Sequence, residues 1–486
     1  MKGINIKKSF KSGSFKKGTY SAGISAIVIA VVIVINLVAG QLPESIKSID
    51  MSSEKYYTVG SSTKEIVKNL KDDITIYQMC TKGKEDSTIS KLLDTYKSLS
   101  DKIKVETLDP DLQPGVVTKY NASDASTNSL IVVSGDRTKI VDYNDIYEQD
   151  YSQYYTTGST STSFDGEGEI TSAINYVTTD NLPKMYTLSG HGEQTFSTTV
   201  SDAITKQNIE TADLNLLASE SGVPEDCNIL AIVCPSTDCS EEEAKAIISY
   251  LDAGGKAFIV MNRYYSGTDL PNFNSVLDAY GLKMQEGYVI ENDQNYYYRY
   301  GYYLLPEVES HDITSSFKGD KYIMAPMAQG IVKTDEARST LTIENLLTTT
   351  EDSYADVDYG EGAAQDGSYA KASDDVDGPF AVAVAVSEDH DDGTKTQLTV
   401  YGSYIMFTED ITNTFSLGNV DMLTDSLTWM CDGATNTVSI AAKSMDVPQN
   451  TIQESKSNIW TMVYVVLIPL VVVIAGFVVW YRRRKA

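Results

Sequence analysis

The sequence predicts an α/β protein whose folded part lies between two membrane-spanning segments. Short runs rich in Val, Ile and Leu alternate with segments that carry apolar residues at helical spacing. Residues 21–40 and 459–481 are uncharged, and each is long enough to cross a bilayer, which takes about 20 apolar residues. All 67 Asp and Glu lie between these two runs. The chain is long enough for two or three domains with their own cores.

The amino-terminal segment predicts a cytoplasmic tail followed by a membrane helix. Residues 1–20 carry six lysines and no acid, and the apolar run begins directly after them. We expect the helix to span residues 21–42. A cleaved signal peptide is the alternative, but its apolar core is usually about 7–15 residues and ends near an A-x-A site, which is missing here. We therefore favour a retained anchor.

The carboxyl-terminal segment predicts a second membrane helix over residues 459–481. Trp460, Trp480 and Tyr481 stand at its edges, where interfacial aromatic residues are common. Residues 482–486 begin with three arginines and a lysine. Under the positive-inside rule both termini are then cytoplasmic and the bulk of the chain is extracytoplasmic. The predicted location is the cell membrane, with two spans.

The part between the two spans is strongly acidic. It holds 67 acidic residues against 29 Lys and Arg, because six lysines precede the first span and four basic residues follow the second, which leaves a net charge of −38. Such a field repels nucleic acid and anionic lipid headgroups. We expect no nucleic-acid partner.

Residues 50–150 predict a small domain with the element order β-α-β-α-β-β. Strands are expected at 74–79 and 103–108, and a hairpin at 130–133 and 139–141. Ser62 and Glu65 have the spacing of a capping box at the start of the first helix. The order suggests a thioredoxin-like domain. Cys80 has no partner in a C-x-x-C motif, so dithiol redox chemistry is not expected.

Residues 165–435 predict a second, larger α/β domain with a mainly parallel sheet. Strands are expected at 185–188, 229–234 and 257–261, separated by helices at 197–207 and 240–253. A linker or surface loop at 150–168 precedes this domain. A mobile acidic insertion at 351–378 lies within it, and a polar stalk at 436–458 joins it to the second span.

Two stretches supply candidate binding residues. Gly190, His191, Gly192 and Glu193 form a glycine-flanked polar turn between a strand and a helix. That turn is either a solvated connection or a binding, or vestigial catalytic, turn at the carboxyl end of the sheet. The second stretch is rich in tyrosine and is either a partly buried loop or strand, or a surface for sugars or peptides. Its candidates are Tyr296, Tyr297, Tyr298 and Tyr300.

Catalytic and metal chemistry have little support in the sequence. The five cysteines are odd in number and scattered, and Cys234 and Cys239 are either a small disulfide loop or two unrelated thiols. Three histidines, far apart, do not indicate a metal site. There is no G-x-x-x-x-G-K-[ST] loop, so the chain is not itself a P-loop ATPase. We predict no enzyme activity and no cofactor; the alternative is a cryptic hydrolase that uses Cys234 or His191.

Several stretches in consistent order resemble the GldG-like auxiliary subunits associated with ABC transporters and bacterial gliding motility. They are residues 109–111 with Pro114, 169–177, 190–193, 254–255, 311–314, 402–403, 418–421 and 427–429. The resemblance implies a glutamine-amidotransferase-like, Rossmann-related fold for the larger domain. It also implies an extracytoplasmic substrate-binding or gating subunit beside an ABC permease and a cytoplasmic ATP-binding subunit. A cell-wall-facing binding or adhesion module is the alternative from another functional class.

Overall fold

The computed structural model describes most of the chain between residues 55 and 445. The described residues are 27, 29–34, 55–150, 161–219, 222–262, 269–317, 321–335, 337–357, 371–413, 417–431, 440 and 442–445. The chain divides into two compact units, Met1–Ser444 and Met445–Ala486, and the described strands and helices lie in the first unit. Among the described residues, no helix has the length and apolar character needed to cross a membrane. Of the two predicted spans, the first contributes residues 27 and 29–34, which are helical and exposed, and the second lies outside the described residues.

The amino-terminal part forms a four-stranded sheet with three helices. The strands are β1 (Ile74–Met79), β2 (Ile103–Leu108), β3 (Leu130–Ser134) and β4 (Arg137–Val141), and the helices are α1 (Ser61–Lys68), α2 (Ser87–Leu99) and α3 (Pro114–Lys119). The strand order is β2-β1-β3-β4, with β1 and β2 parallel and the other neighbours antiparallel. The predicted elements of this part are confirmed, and its thioredoxin-like affinity stays a prediction.

A single helix, α5, is buried in the middle of the unit. After α4 (Tyr143–Ile146) and strands β5 (Tyr147–Asp150) and β6 (Ser161–Phe164), α5 runs over Gly166–Thr178. Ten of its thirteen residues are buried, as expected for a helix enclosed by other elements on several sides. It packs on β3, β4, α1 and α2. Gly166 permits this approach, because a Cβ there would lie 2.5 Å from the Phe164 ring.

The amino end of α1 is stabilised by α5 and not by the predicted capping box. The N-cap residue of α1 is Gly60, and no side chain of α1 itself caps it. Instead the carboxylate of Glu167 accepts hydrogen bonds from Gly60 N at 2.6 Å and from Thr63 Oγ1 at 2.8 Å. The prediction from Ser62 and Glu65 was wrong because the helix begins at Ser61, which places Ser62 inside the first turn. The positive end of the helix dipole also stabilises a carboxylate at the amino terminus of a helix.

The larger sheet has ten strands. They are β7 (Lys184–Leu188), β8 (Glu210–Leu214), β9 (Ile229–Val233), β10 (Lys256–Val260), β11 (Leu282–Met284), β14 (Glu307–Val308), β16 (Ile331–Lys333), β17 (Thr342–Thr348), β20 (Ala381–Asp389) and β21 (Lys395–Tyr401). The main order is β11-β16-β20-β21-β10-β9-β7-β8, with β17 paired to β20 and β14 to β17.

Only one half of this sheet is parallel. Strands β8, β7, β9, β10 and β21 run parallel, whereas β20, β16, β17, β11 and β14 are joined by antiparallel pairs. The prediction of a mainly parallel sheet therefore holds for the first half alone. The physical reason lies in the connections: β20 and β21 are joined by a short turn at residues 390–394, which allows only antiparallel pairing.

Helices cover both faces of the parallel half. They are α6 (Thr198–Lys206), α7 (Glu241–Asp252), α8 (Pro271–Ala279), the one-turn helix α9 (Glu409–Thr412) and α10 (Asn419–Met430). Strand β9 shows the two-sided burial clearly. Its alternate residues Ile229, Ala231 and Val233 pack with α6 and α10, while Leu230 and Ile232 pack with α7 and α8. Five buried apolar residues in a row are typical of a central parallel strand.

Three smaller sheets complete the unit. Strands β12 (Tyr288–Ile290), β18 (Tyr354–Asp356) and β19 (Val376–Asp377) form one sheet, and β13 (Tyr303–Leu304) pairs with β15 (Ala325–Pro326). Strand β22 (Lys443–Ser444) pairs with β6, which also pairs with β5. The two ends of the acidic insertion thus meet in the β18–β19 pair, and its centre, residues 358–370, lies outside the described residues.

Candidate functional site

The candidate site lies at the carboxyl edge of the parallel strands, where the order of connection reverses. From β7 the chain crosses to β8 on one side and then returns to β9 on the other side. Loops that leave neighbouring strands in opposite directions open a crevice at such a point, and ligands of open α/β sheets bind there. The loop after β7 carries the predicted candidates of residues 190–193, and the loop after β9 leads to α7.

Two glycines allow the loop after β7 to turn against its neighbour. Gly190 has φ +118° and Gly192 has φ +66°, values that side chains other than hydrogen rarely permit. A Cβ on Gly192 would also overlap the Ser236 hydroxyl. The carbonyl oxygen of His191 accepts hydrogen bonds from the backbone N–H groups of Ser236 and Thr237, both at 2.9 Å. These bonds tie the two loops together across the switch point.

The His191 side chain is enclosed between two carboxylates. Its Nδ1 lies 3.0 Å from Glu193 Oε1, and its Nε2 lies 3.3 Å from Glu243 Oε2. The three side chains are only 4 %, 6 % and 5 % exposed, and the Phe273 ring packs edge-on against the imidazole. The interpretation of this turn as solvated is wrong for His191.

Glu243 links this cluster to the amino end of α7. Its Oε2 accepts from Ser240 N at 2.9 Å, and Ser240 Oγ accepts from Glu243 N, which completes a capping box. Burial raises the pKa of Glu243, but the hydrogen bonds from Ser240 and the His191 ring outweigh it, and the net pKa is lower than usual. The sequence indicated a helix-stabilising acid here. The contact with His191 could not be found from the sequence, because 52 residues separate the two.

Cys234 directly follows β9 and has a left-handed backbone conformation, with φ +46°. The thiol is 1 % exposed and donates to the Asn262 carbonyl oxygen at 3.3 Å. Burial raises its pKa to about 12, so the reactive thiolate is not formed at neutral pH. The ring nitrogens of His191 are held by carboxylates, and no hydrogen bond among the described residues joins His191 to Cys234. All five cysteines are free and buried, so Cys234 and Cys239 do not form the possible disulfide.

The larger part of the chain, including this edge of the sheet, matches a protein-family model. Residues 182–430 match the family described as ABC-type uncharacterized transport system. The chain belongs to this family. Residues 53–147 match a second model, a domain of unknown function. No curated protein matches the chain.

Solved structures resemble the chain only distantly. The N-terminal domain of mmIFT52 shares 15 % identity at a TM-score of 0.37, over 53 % of this chain and 99 % of that one. PurLQS from Thermotoga maritima shares 11 % at 0.26, over 51 % and 99 %. The exo-beta-1,4-mannosidase Op5Man5 from Opitutaceae bacterium strain TAV5 shares 10 % at 0.22, over 73 % and 49 %. Similarities this weak carry no information about function.

Membership of the ABC transport family confirms the coarser part of the resemblance, an accessory component of an ABC transport system. The GldG-like relationship and the amidotransferase-like affinity of the larger domain stay predictions.

The family match also covers the tyrosine stretch, which forms a tight hairpin: Tyr298 N donates to Tyr303 O at 2.9 Å, and Leu305 N donates to Tyr296 O at 2.7 Å.

The hairpin presents some of its rings to solvent. Tyr298 and Tyr300 are 42 % and 45 % exposed, and the rings of Tyr300 and Tyr302 are stacked with centroids 5.5 Å apart. Tyr297 is partly buried, and Tyr296 Oη donates to Glu307 at 2.9 Å. The partners of the His191 ring are Glu193, Glu243 and Phe273, so these contacts do not join the two predicted groups into one site. No cluster of His, Cys, Asp or Glu within the described residues is arranged to hold a metal ion.

Proposed function

We propose that the protein is a non-catalytic, membrane-anchored extracytoplasmic subunit that binds substrate or gates the permease of an ABC transport system. Membership of the ABC transport family supports the accessory role. The observation that carries the finer proposal is the meeting of the two ends of the described unit. Lys443 Nζ donates to the carbonyl oxygens of Lys55 and Thr58 at 3.2 and 2.7 Å, and Tyr56 Oη donates to the Ser444 carbonyl oxygen at 2.9 Å.

This meeting point is a largely buried ion pair on α5. Lys443 Nζ lies 2.8 Å from Glu167 Oε2, and the two side chains are 19 % and 6 % exposed. The same carboxylate caps α1 through Gly60 and Thr63. We call Glu167, Lys443 and the groups they bind the terminal clamp. A predicted membrane helix lies beyond each end in the sequence, so we propose that a movement of either helix acts on the clamp.

The terminal clamp is connected to the larger sheet through the same amino-terminal end of α5. Lys206, at the end of α6, forms an ion pair with the N-cap residue Asp165, and its Nζ lies 3.5 Å from Glu169 Oε1. Asn208 Nδ2 donates to the Ser172 carbonyl oxygen at 2.9 Å. A movement of the predicted membrane helices would therefore reach the carboxyl-edge loops through α5 and α6. That is the mechanical connection a gating subunit needs.

The state of the candidate catalytic groups supports a non-catalytic role. A nucleophilic cysteine needs a lowered pKa and a base in reach. The pKa of Cys234 is raised by burial, and both His191 nitrogens are already bonded to carboxylates. In this arrangement neither group is available to a substrate. We therefore propose that hydrolysis of ATP by a partner supplies the energy for transport.

Purification from the native membrane in mild detergent tests the proposal. The tagged full-length protein is crosslinked, recovered and analysed by mass spectrometry. An ABC permease and an ATP-binding subunit are expected in the recovered complex, at amounts comparable with the bait. Recovery of the bait without either subunit, from several detergents and with crosslinking, would contradict the accessory role.

The exposed tyrosine hairpin favours a second candidate function, a cell-wall-facing binding or adhesion module. Exposed aromatic faces stack on sugar rings and peptides. A triple substitution of Tyr297, Tyr298 and Tyr300 by alanine would abolish sedimentation with purified cell wall if this function holds. If the variant sediments with cell wall as the unaltered protein does, or if the unaltered protein does not sediment with it at all, the binding function is contradicted.

A further inference from the structure

An open cavity of about 400 Å³ lies on the amino-terminal sheet and is built by different elements from the carboxyl-edge site. Its walls are the end of α3 with Lys119, the β3–β4 turn with Asp136 and Arg137, and Tyr176 of α5. Sites for small molecules usually enclose about 300–1,000 Å³, so the cavity is large enough for a metabolite-sized ligand.

The cavity is basic although the protein is acidic. Lys119 and Arg137 line it and Asp136 is the one acid in its lining, while Lys139 reaches the ring of Tyr176 from beside it. The ion pairs of the described residues use other cations, namely Lys102, Lys184, Lys206, Lys245, Lys321, Arg338, Lys371, Lys395 and Lys443. Lys119, Arg137 and Lys139 thus bring three positive charges together without an ion pair to a described residue, while the charge of Lys139 also acts on Glu169.

Aromatic rings hold these three cations in place. Arg137 and Lys139 lie over the Tyr176 ring at 5.0 and 5.2 Å from its centroid, and Lys119 lies over Tyr120 at 4.7 Å. A guanidinium that stacks on an aromatic ring still has its N–H groups free along its edge. Two of them can donate hydrogen bonds to the two oxygens of one carboxylate or phosphate. Two cations on one ring repel each other, and a bound anion would relieve that repulsion.

The acidic surroundings do not cancel this local charge. Salt screens exposed charges over about 8 Å at physiological ionic strength, whereas two of the cations lie within 5.2 Å of a single ring centroid. Distant acids therefore act weakly on a ligand inside the cavity. Their field and the nearby Asp136 disfavour long polyanions more strongly than a small, singly or doubly charged molecule.

We propose that this cavity binds a small organic anion through a carboxylate or phosphate group. Arg137 is the two-pronged donor, Lys119 supplies a second charge from the opposite wall, and the Thr138 hydroxyl adds a hydrogen-bonding group. The proposal stands on the cavity alone and does not depend on the role in transport.

Isothermal titration calorimetry of the full-length protein in uncharged detergent, at low ionic strength, tests the proposal. The probes are succinate and glucose 1-phosphate, with glucose as the neutral control. At least one anion is expected to bind and glucose is not. Binding of succinate alone would assign the site to carboxylates, and binding of glucose 1-phosphate alone would assign it to phosphate esters.

Matched variants locate the binding. Arg137→Met is expected to weaken anion binding at least tenfold. Arg137→Lys is expected to weaken it less, because lysine keeps the positive charge but lacks the paired N–H donors of the guanidinium. Lys119→Met, at an exposed helix end where folding is not at risk, is expected to weaken binding severalfold. Lys104→Met, an exposed lysine on β2, is the control and should leave binding unchanged. No binding of either anion, or equal losses in Lys104→Met and Lys119→Met, would overturn the proposal.

Discussion

At the scale of single residues, His191 stabilises the structure as a bridge between two loops. The imidazole joins Glu193 in its own loop to Glu243 on α7, and all three side chains are almost completely buried. The ring therefore ties the loop after β7 to the start of α7 at the switch point.

Replacing His191 by glutamine is expected to destabilise the protein by about 2 kcal/mol, because the amide cannot reach both carboxylates and leaves a buried acceptor without its donor. Thermal unfolding of the full-length protein, followed by near-UV circular dichroism, measures the effect. His390→Gln is the matched control, since that imidazole is less buried and its ring bonds the Thr396 hydroxyl, so the change should cost about 1 kcal/mol or less. Equal unfolding temperatures for the two variants would show that the His191 bridge does not stabilise the fold.

Glu169 gives the stability of the protein a predictable dependence on pH. Burial, with Asp145 and Glu148 adding repulsion, raises the pKa of Glu169 to about 8, well above the ordinary value of 4.5. Below pH 4.5 the carboxyl is protonated in both the folded and the unfolded state, and burial then adds no charge penalty. As pH rises from 4.5 to 8 the unfolded state loses its proton first, so the folded state loses stability over this range.

Glu169→Gln is therefore expected to flatten the fall in stability between pH 5 and 8. The gain relative to the unaltered protein should reach on the order of 5 kcal/mol above pH 8, at about 1.4 kcal/mol per unit of pKa. Unfolding temperatures across this pH range measure it. Glu242→Gln changes an exposed acid and should leave the profile unaltered. A parallel profile for Glu169→Gln would mean that Glu169 is ionised in the folded protein throughout the range.

At the scale of elements, α5 connects the terminal clamp, the amino-terminal sheet and the end of α6. Its first turn holds the terminal clamp, and its sides pack on the small sheet. Its contacts with Lys206 and Asn208 reach the end of α6. The sequence did not show the contacts of this helix, because no local pattern shows that Glu167 meets a residue 276 positions away.

Lys443→Met should loosen both ends of the unit together. It removes the cation from Glu167, and loss of one partner of a largely buried pair costs about 3 kcal/mol. Hydrogen–deuterium exchange is expected to rise in residues 55–68 and 440–445 and to stay unchanged in the central strand β9. Lys97→Met, an exposed lysine on α2, is the control. If exchange rises only near residue 443, the two ends are not coupled through the clamp.

Strands β7, β9 and β10 of the parallel half follow directly from the sequence, whereas the irregular strand β17 of the antiparallel half does not. β9, with Leu230 and Ile232 on one face and Ile229 on the other, is a continuous apolar run of strand length. By contrast, β17 mixes exposed, intermediate and buried positions without regular alternation, and its register shifts near Asn345. Irregular pairing of this kind depends on neighbouring strands, which periodicity does not encode.

The candidate site was also predictable from the sequence only in part. The two glycines of residues 190–193 indicated a sharp turn, and the positive φ angles of Gly190 and Gly192 bear out that expectation. The sequence did not indicate the buried pairing with Glu243, because Ser240 and its neighbours already explained that acid as a helix cap. Glu243 thus caps its own helix and also makes a tertiary contact that the local sequence does not indicate.

At the scale of the whole molecule, the proposal requires one acidic body held at both ends by the same membrane. Lys55 and Lys443 are in contact, and the two predicted membrane helices lie beyond these residues in the sequence. A permease that moves those helices would move the body as well. The two basic termini would then lie on the side of the ATP-binding partner.

Membrane topology tests this account most directly. The five native cysteines are buried, so single cysteines introduced at Ser9, Lys97 and Ala486 report on their own positions. An impermeant maleimide applied to intact cells is expected to label Lys97→Cys and to spare Ser9→Cys and Ala486→Cys until the membrane is opened. Labelling of either terminal cysteine in intact cells, or protection of Lys97→Cys, would contradict an extracytoplasmic body anchored at both ends.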